Sequence, residues 1–307
     1  MTLQVTAAEL LQNIQEDVGD QYGFELLDLQ VRSGAELTWD TIFRARDAVL
    51  QKLQSAAGVV LITGTDTMEE FAFSLSVLLD SQLTAQRKTL AVTGAMLPAD
   101  QRGYDGPGNV RDAVKVAAAE RPELSRVVVV MNNNIHLGQY VFKGDSQLIG
   151  AFRSHPGPLG QIRAGRPVLY YSPPPLPPLD QDEAEAFSQL TPAALKQRVP
   201  IWVLSVQPFL PESLLEAGLD GLVLAGSGTG SVPQVILEQL SPKWTSRMPI
   251  VIVSRCQTGG SPDDFYYRGS LDKYLSGGFV VGGDYEHLNA VQARTLLMLR
   301  LSALGHP

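Results

Sequence analysis

A chain of 307 residues is long for one hydrophobic core, because cores stop growing near about 250–300 residues, so two domains are expected. Hydrophobic residues at 44 % against charged residues at 18 % exclude a disordered chain, and a net charge of −8 argues against sequence-independent binding to nucleic acid, where Lys and Arg must replace counterions. The single cysteine, Cys256, excludes an intrachain disulfide; inside the apolar stretch PIVIVSRC it reads as a core thiol rather than a nucleophile, in a reducing compartment.

The opening residues MTLQVTAAELLQNIQEDVGD carry neither a basic start nor an apolar targeting core. No segment offers the roughly 18 consecutive apolar residues of a membrane helix, and the expectation is a soluble cytoplasmic protein with no membrane partner. Short β-branched runs then alternate with amphipathic stretches. FELLDLQV at 24–31 reads as a strand, TWDTIFRARDAVLQKLQ at 38–54 as a helix and GVVLITG at 58–64 as a strand. MEEFAFSLSVLLD (helix), KTLAVTG (strand), GNVRDAVKVAAAE (helix) and RVVVVMN (strand) come next. Strands that are apolar almost throughout are buried on both faces, which points to a parallel sheet covered by helices.

The proline run in YYSPPPLPPLDQD fixes φ and removes amide donors, so it excludes helix and central strand and reads as a linker. Beyond it come PIWVLSV, GLDGLVLAG, SVPQVILEQL, PIVIVSR, GGFVVGG and a closing helix AVQARTLLMLRLSA. The expected architecture is α/β, with a larger parallel-sheet domain over 1–172, a linker over 173–198 and a smaller α/β domain over 199–307.

The most informative stretch is VVLITGTDTMEEFAF, where a buried strand ends in Gly64-Thr65-Asp66-Thr67 and a helix starts at once. Thr67 with Glu70 three residues on fits a capping box, with Thr67 as N-cap. Thr65 and Asp66 then lie at the carboxyl end of a parallel strand, where open α/β sheets bind ligands, beside a helix N-terminus that favours a carboxylate. Alone, the tetrapeptide is better explained by a turn whose polar residues cap backbone. The next strand also ends in a Thr-Gly element, Thr93-Gly94-Ala95-Met96, followed by LPADQRGYDGPGN, and two such neighbouring strand ends build one crevice.

Together GTDTMEE and VTGAMLPADQRGYDGPGN resemble two signature blocks of the L-asparaginase family, and VVVVMNNNIHLGQYVFKGDSQLIGAFRSHPGPLG resembles the family segment that contributes a lysine, which falls on Lys143. PIVIVSRCQTG, AVQARTLLMLRL and the glycine-rich GSGTGSVP at 226–233 resemble the family's C-terminal domain. A dinucleotide reading of that loop fails, because G-x-G-x-x-G needs glycine where Ser231 stands. His136, His155, His287 and His306 show no ligand spacing, and no metal or organic cofactor is expected.

The resemblance implies a two-domain amidohydrolase that hydrolyses the side-chain amide of asparagine, or in some members glutamine, through a threonine. Carried over by position, Lys143 is the base or proton relay, and Thr65 holds or activates the attacking group or water. Asp66 orients the lysine and grips the substrate's α-amino group, and Ala95 offers its carbonyl to the substrate amide. LDLQVRSGAELTWD matches the family's substrate-binding serine loop, with Ser33 as the residue for the α-carboxylate and Gly34 as the competing register; a simple loop-and-cap role accounts for the segment equally. A homo-oligomer is implied, a dimer or a tetramer of close dimers, with C-terminal-domain residues of one subunit closing the neighbour's site.

Family members open with a buried strand ending in a Thr-Gly-Gly-Thr-type motif that supplies the usual nucleophile, then a flap bearing a tyrosine. TAAELLQNI resembles the family segment on the C-terminal side of that flap, and neither motif nor tyrosine can be located. Either the true start lies upstream or this is a naturally shortened relative. The expectation for the 307 residues is weak binding of aspartate or asparagine and very slow or absent hydrolysis. The competing reading is a non-catalytic amino-acid-binding or assembly protein. The acidic charge and length speak against a third, the asparaginase-like subunit of a transfer-RNA-dependent amidotransferase.

Overall fold

The structure is a computed structural model describing residues 6–18, 21–30, 34–173 and 181–307. The chain divides into two compact units, Met1–Leu176 and Pro177–Pro307.

The first unit begins with helix α1 (Ala7–Val18), capped by Thr6: its hydroxyl accepts from Glu9 N, while the Glu9 carboxylate accepts from Thr6 N at 2.7 Å. Leu10, Ile14 and Val18, at helical spacing, pack on Val110 and Val114 of α4 (Gly106–Ala117). Helix α2 (Trp39–Lys52), N-capped by Thr38, precedes strand β1 (Val59–Ile62), helix α3 (Met68–Gln86), strand β2 (Leu90–Thr93), α4 and strand β3 (Val127–Met131). Strands β1, β2 and β3 pair in parallel, and every residue of β2 and β3 is buried, as their continuous apolar runs require.

The sheet does not stay parallel. Asn132 and Asn133, both at positive φ, turn β3 straight back into β4 (Asn134–Leu137), an arrangement Asn tolerates. Strands β5 (Val141–Lys143) and β6 (Phe152–Ser154) form a separate two-stranded ribbon, while β7 (Gly160–Arg163) and β8 (Arg166–Leu169) complete a six-stranded sheet ordered β1-β2-β3-β4-β7-β8. The larger sheet is therefore mixed, parallel at one side and antiparallel at the other.

The strand expected at 24–31 does not form over its described residues, 24–30. Strand β1 is an edge whose outer side pairs with no strand of the described residues, and this stretch does not take that place. Its side is held to α2 instead, by an ion pair between Glu25 and Lys52 and a bond from Arg44 to the Leu29 carbonyl, with Phe24, Leu26 and Leu27 exposed.

In the second unit, helix α5 (Gln181–Ser188) lies within the stretch read as linker. It is tied to the closing helix α9 (Ala290–Ala303), whose Arg300 donates to Glu183 at 2.6 Å and to Asp284 at 2.5 Å. Strands β9 (Ile201–Val203), β10 (Leu222–Gly226) and β11 (Ile250–Ser254) form a parallel sheet ordered β11-β10-β9, with the short helix α6 (Glu212–Leu215) and α7 (Gln234–Leu240) between them. Leu222, Leu224, Ile250 and Ile252 share a core with Ile236, Leu240 and Trp244, and α9 packs on all three strands. GGFVVGG contributes only a bridge from Val280 to Val251, because Gly278, Gly282 and Gly283 at positive φ leave too little extended chain; helix α8 (Ser270–Ser276) precedes it. Cys256 is exposed rather than in the core, since β11 ends two residues earlier.

Candidate active site

Three strand ends are locked together by main-chain and side-chain hydrogen bonds. Thr63 N donates to Thr93 O at 2.9 Å, and a Cβ at Gly94 would lie 2.3 Å from the Thr63 carbonyl oxygen, so only glycine fits there. Asn109 at the start of α4 donates from Nδ2 to Gly94 O (2.9 Å) and accepts at Oδ1 from Asn132 N (3.0 Å), which joins the ends of β2 and β3. Asp105 accepts from Met96 N and Leu97 N, each at 3.0 Å, and so shapes the loop after Ala95. The sequence singled out neither Asp105 nor Asn109; the polar pair inside YDGPGN, spanning the start of a helix, was the available signal.

On this platform the chain leaves β1 through Gly64, Thr65 and Asp66 and enters α3. Thr67 is the N-cap by position, but the expected capping box is absent, because its hydroxyl donates to Gly34 O at 2.6 Å instead. That bond and the close approach of the Gly34 and Gly64 backbones hold the segment from residue 34 onward against the β1 end. Gly34 brings only main chain to this contact, and Ser33 lies outside the described residues.

Lys143, at the end of β5, reaches this turn from a different sheet. Its Nζ donates to Thr65 Oγ1 at 3.0 Å and to Asp66 Oδ1 at 3.2 Å. The lysine side chain is largely covered at 15 % exposure, while Asp66 is 69 % exposed, so the ion pair is worth at most about 1 kcal/mol and serves to orient the amine. Thr65, Asp66 and Lys143 are thus brought together. Ala95 lines a cavity of about 210 Å³ with Thr63, Gly94, Tyr104, Leu10 and Ile62, and the other three residues are not among its walls.

A fourth group was not foreseen. Glu69, in the first turn of α3, accepts from Lys143 N at 2.5 Å, and its partial burial pushes its carboxyl above the usual carboxylate range. A hydroxyl within hydrogen-bond reach of an amine, with a carboxylate beside the amine, is the arrangement a hydroxyl nucleophile needs for activation.

Residues 1–175 match the family model for the N-terminal domain of asparaginase, and residues 203–306 match that for the glutaminase/asparaginase C-terminal domain. The chain is 30 % identical to a probable L-asparaginase of Deinococcus radiodurans, over 83 % of this chain and 74 % of that one. To L-asparaginase 2 of Escherichia coli it is 30 % identical, over 95 % of this chain and 79 % of that one. A crystal structure of a probable cytoplasmic L-asparaginase from Campylobacter jejuni superposes with a TM-score of 0.78 at 26 % identity, covering 97 % of this chain and 90 % of that one. With family models spanning both of its units, the chain belongs to the asparaginase family.

Proposed function

We propose that this chain hydrolyses L-asparagine to L-aspartate and ammonia, with Thr65 as the attacking hydroxyl and Lys143 as its base. The observation that carries the reading is the 3.0 Å contact between Lys143 Nζ and Thr65 Oγ1, which puts the amine within proton-transfer reach of the hydroxyl. Attack of Thr65 on the side-chain amide carbon forms an acyl-enzyme, and the amide nitrogen leaves as ammonia after taking the proton from Lys143. Water then cleaves the ester and returns the hydroxyl. Asp66, exposed beside the lysine, takes the substrate's α-ammonium, Ser33 takes the α-carboxylate and the Ala95 carbonyl accepts from the substrate amide. The Deinococcus and Escherichia relatives named as L-asparaginases support asparagine as the substrate; glutamine is the alternative amide.

The reading includes a homotetramer of close dimers and a cytoplasmic location, the location alone being paralleled by the Campylobacter protein described as cytoplasmic. Ammonia release from asparagine by the purified protein tests the chemistry. Slow but measurable release that falls about 10³-fold or more in Thr65→Ala is expected. Release little changed in Thr65→Ala, or none from the unaltered protein, would contradict it.

A further inference from the structure

The lysine ends a strand of one sheet and the threonine follows a strand of another, and the two parts meet where β5 packs on α3. Thr65 comes after β1 and inherits the register of the six-stranded sheet, whereas β5 pairs only with β6, from Val141↔Ser154 to Lys143↔Phe152. Nothing in either ladder sets the distance between Thr65 and Lys143. The packing of β5 on α3 brings them near, and the carboxylate of Glu69 fixes the contact at Lys143 itself. It sits in the first turn of α3, four residues after Thr65, and its Oε2 accepts from the Lys143 main-chain N–H across 74 residues of sequence.

How that carboxylate is used matters as much as where it is. A glutamate beside a lysine ordinarily pairs with the ammonium, which would draw Nζ away from the hydroxyl. Here Glu69 bonds the lysine's backbone, and Nζ is left to Thr65 and Asp66. A charge-assisted bond of this kind is short and strong, suited to fixing one main-chain position.

We propose that Glu69 is a positioning residue for the reaction: by holding the Lys143 backbone to the helix turn that carries Thr65, it sets the amine-to-hydroxyl distance without competing for the amine. This rests on the Thr65–Lys143 reading above. Reacting groups displaced by about 1 Å lose on the order of 10²-fold in rate, so the bond acts on turnover rather than on substrate affinity.

The test compares Glu69→Ala with Glu69→Gln, whose amide oxygen still accepts from an N–H. In Glu69→Ala, kcat for ammonia release falls about 10–100-fold with KM within about threefold, while Glu69→Gln stays within about threefold of the unaltered protein. Crystal structures of the two variants give a readout independent of activity. Nζ moves beyond about 4 Å from Thr65 Oγ1 in Glu69→Ala and stays in hydrogen-bond range in Glu69→Gln. If Glu69→Ala does not fold, Glu69→Met fills the space without an acceptor and takes its place. An intact Lys143–Thr65 contact in the variant lacking the acceptor, or failure of Glu69→Gln to rescue, overturns the proposal. If the unaltered protein releases no ammonia, the functional reading fails, and the two crystal structures still decide the role of Glu69.

Discussion

Each unit carries a Gly-Thr-rich loop at the carboxyl end of a parallel strand, GTDT after β1 and GSGTGS at the end of β10, yet the two are built for different ends. In the second, Ser227 and Ser231 exchange backbone bonds at 3.1 and 2.7 Å, and Ser254 Oγ donates to the Gly228 carbonyl at 2.5 Å. That loop spends these polar groups on its own closure. In the first, the backbone is held by neighbours, through Thr63–Thr93, Thr67–Gly34 and the Gly34–Gly64 approach, so the Thr65 and Asp66 side chains are left to meet Lys143. A strand-end position therefore does not by itself make a site. What distinguishes the first loop is a charged group delivered from another element.

Removing that group is the largest break in the comparison. Lys143→Met keeps the length of the side chain and removes the amine, and kcat for asparagine is expected to fall about 10³-fold, measured by ammonia release, because loss of one member of a cooperating set costs nearly the effect of the whole.

The helix that carries the first loop contains a second buried acid. Asp80 on α3 is 2 % exposed and accepts from Val127 N at 2.6 Å, and burial pushes its carboxyl up to about 7 despite the nearby Arg126. A carboxyl that holds its proton more tightly when folded stabilises the fold fully below about pH 4, and that contribution is lost as pH rises through 7, with a ceiling on the order of 4 kcal/mol. His136 acts in the opposite sense: burial lowers it to about 4, so its contribution is present above about pH 6.5 and lost as pH falls through 4. The difference between the unaltered protein and Asp80→Asn isolates the acid. In urea unfolding, the unaltered protein should lose stability relative to Asp80→Asn between pH 5 and pH 8; a constant difference across that range would show that Asp80 does not titrate there.

The parallel core was legible in the sequence because burial on both faces writes itself as an unbroken apolar run, as in VVVVM of β3. The antiparallel half was not, since its strands mix polar and charged residues with apolar ones, as in NIHL and GQIR, and the β3–β4 turn rests on Asn132 and Asn133 at positive φ. FELLDLQV has the composition of a strand, but a strand exists only with a partner, and composition does not report that. In the site, Thr65 and Asp66 could be found from strand-end logic. Lys143 came only through the family resemblance, and Glu69 through neither, because its role lies in one bond to a backbone 74 residues away.

The smallest expected effect is on the loop that closes on itself. Thr229→Ala, in GSGTGS, should leave kcat for asparagine within about twofold, since its neighbours are bonded among themselves. A large loss would show that the second loop also serves chemistry and would dissolve the contrast between the two.

Whether Thr65 and Lys143 act as one unit is decided by a double-mutant cycle on ammonia release. Groups that share one proton transfer are strongly non-additive. The account predicts that Thr65→Ala combined with Lys143→Met is no slower than the slower single variant, within about threefold. Losses that multiply would show two groups working independently and would contradict it.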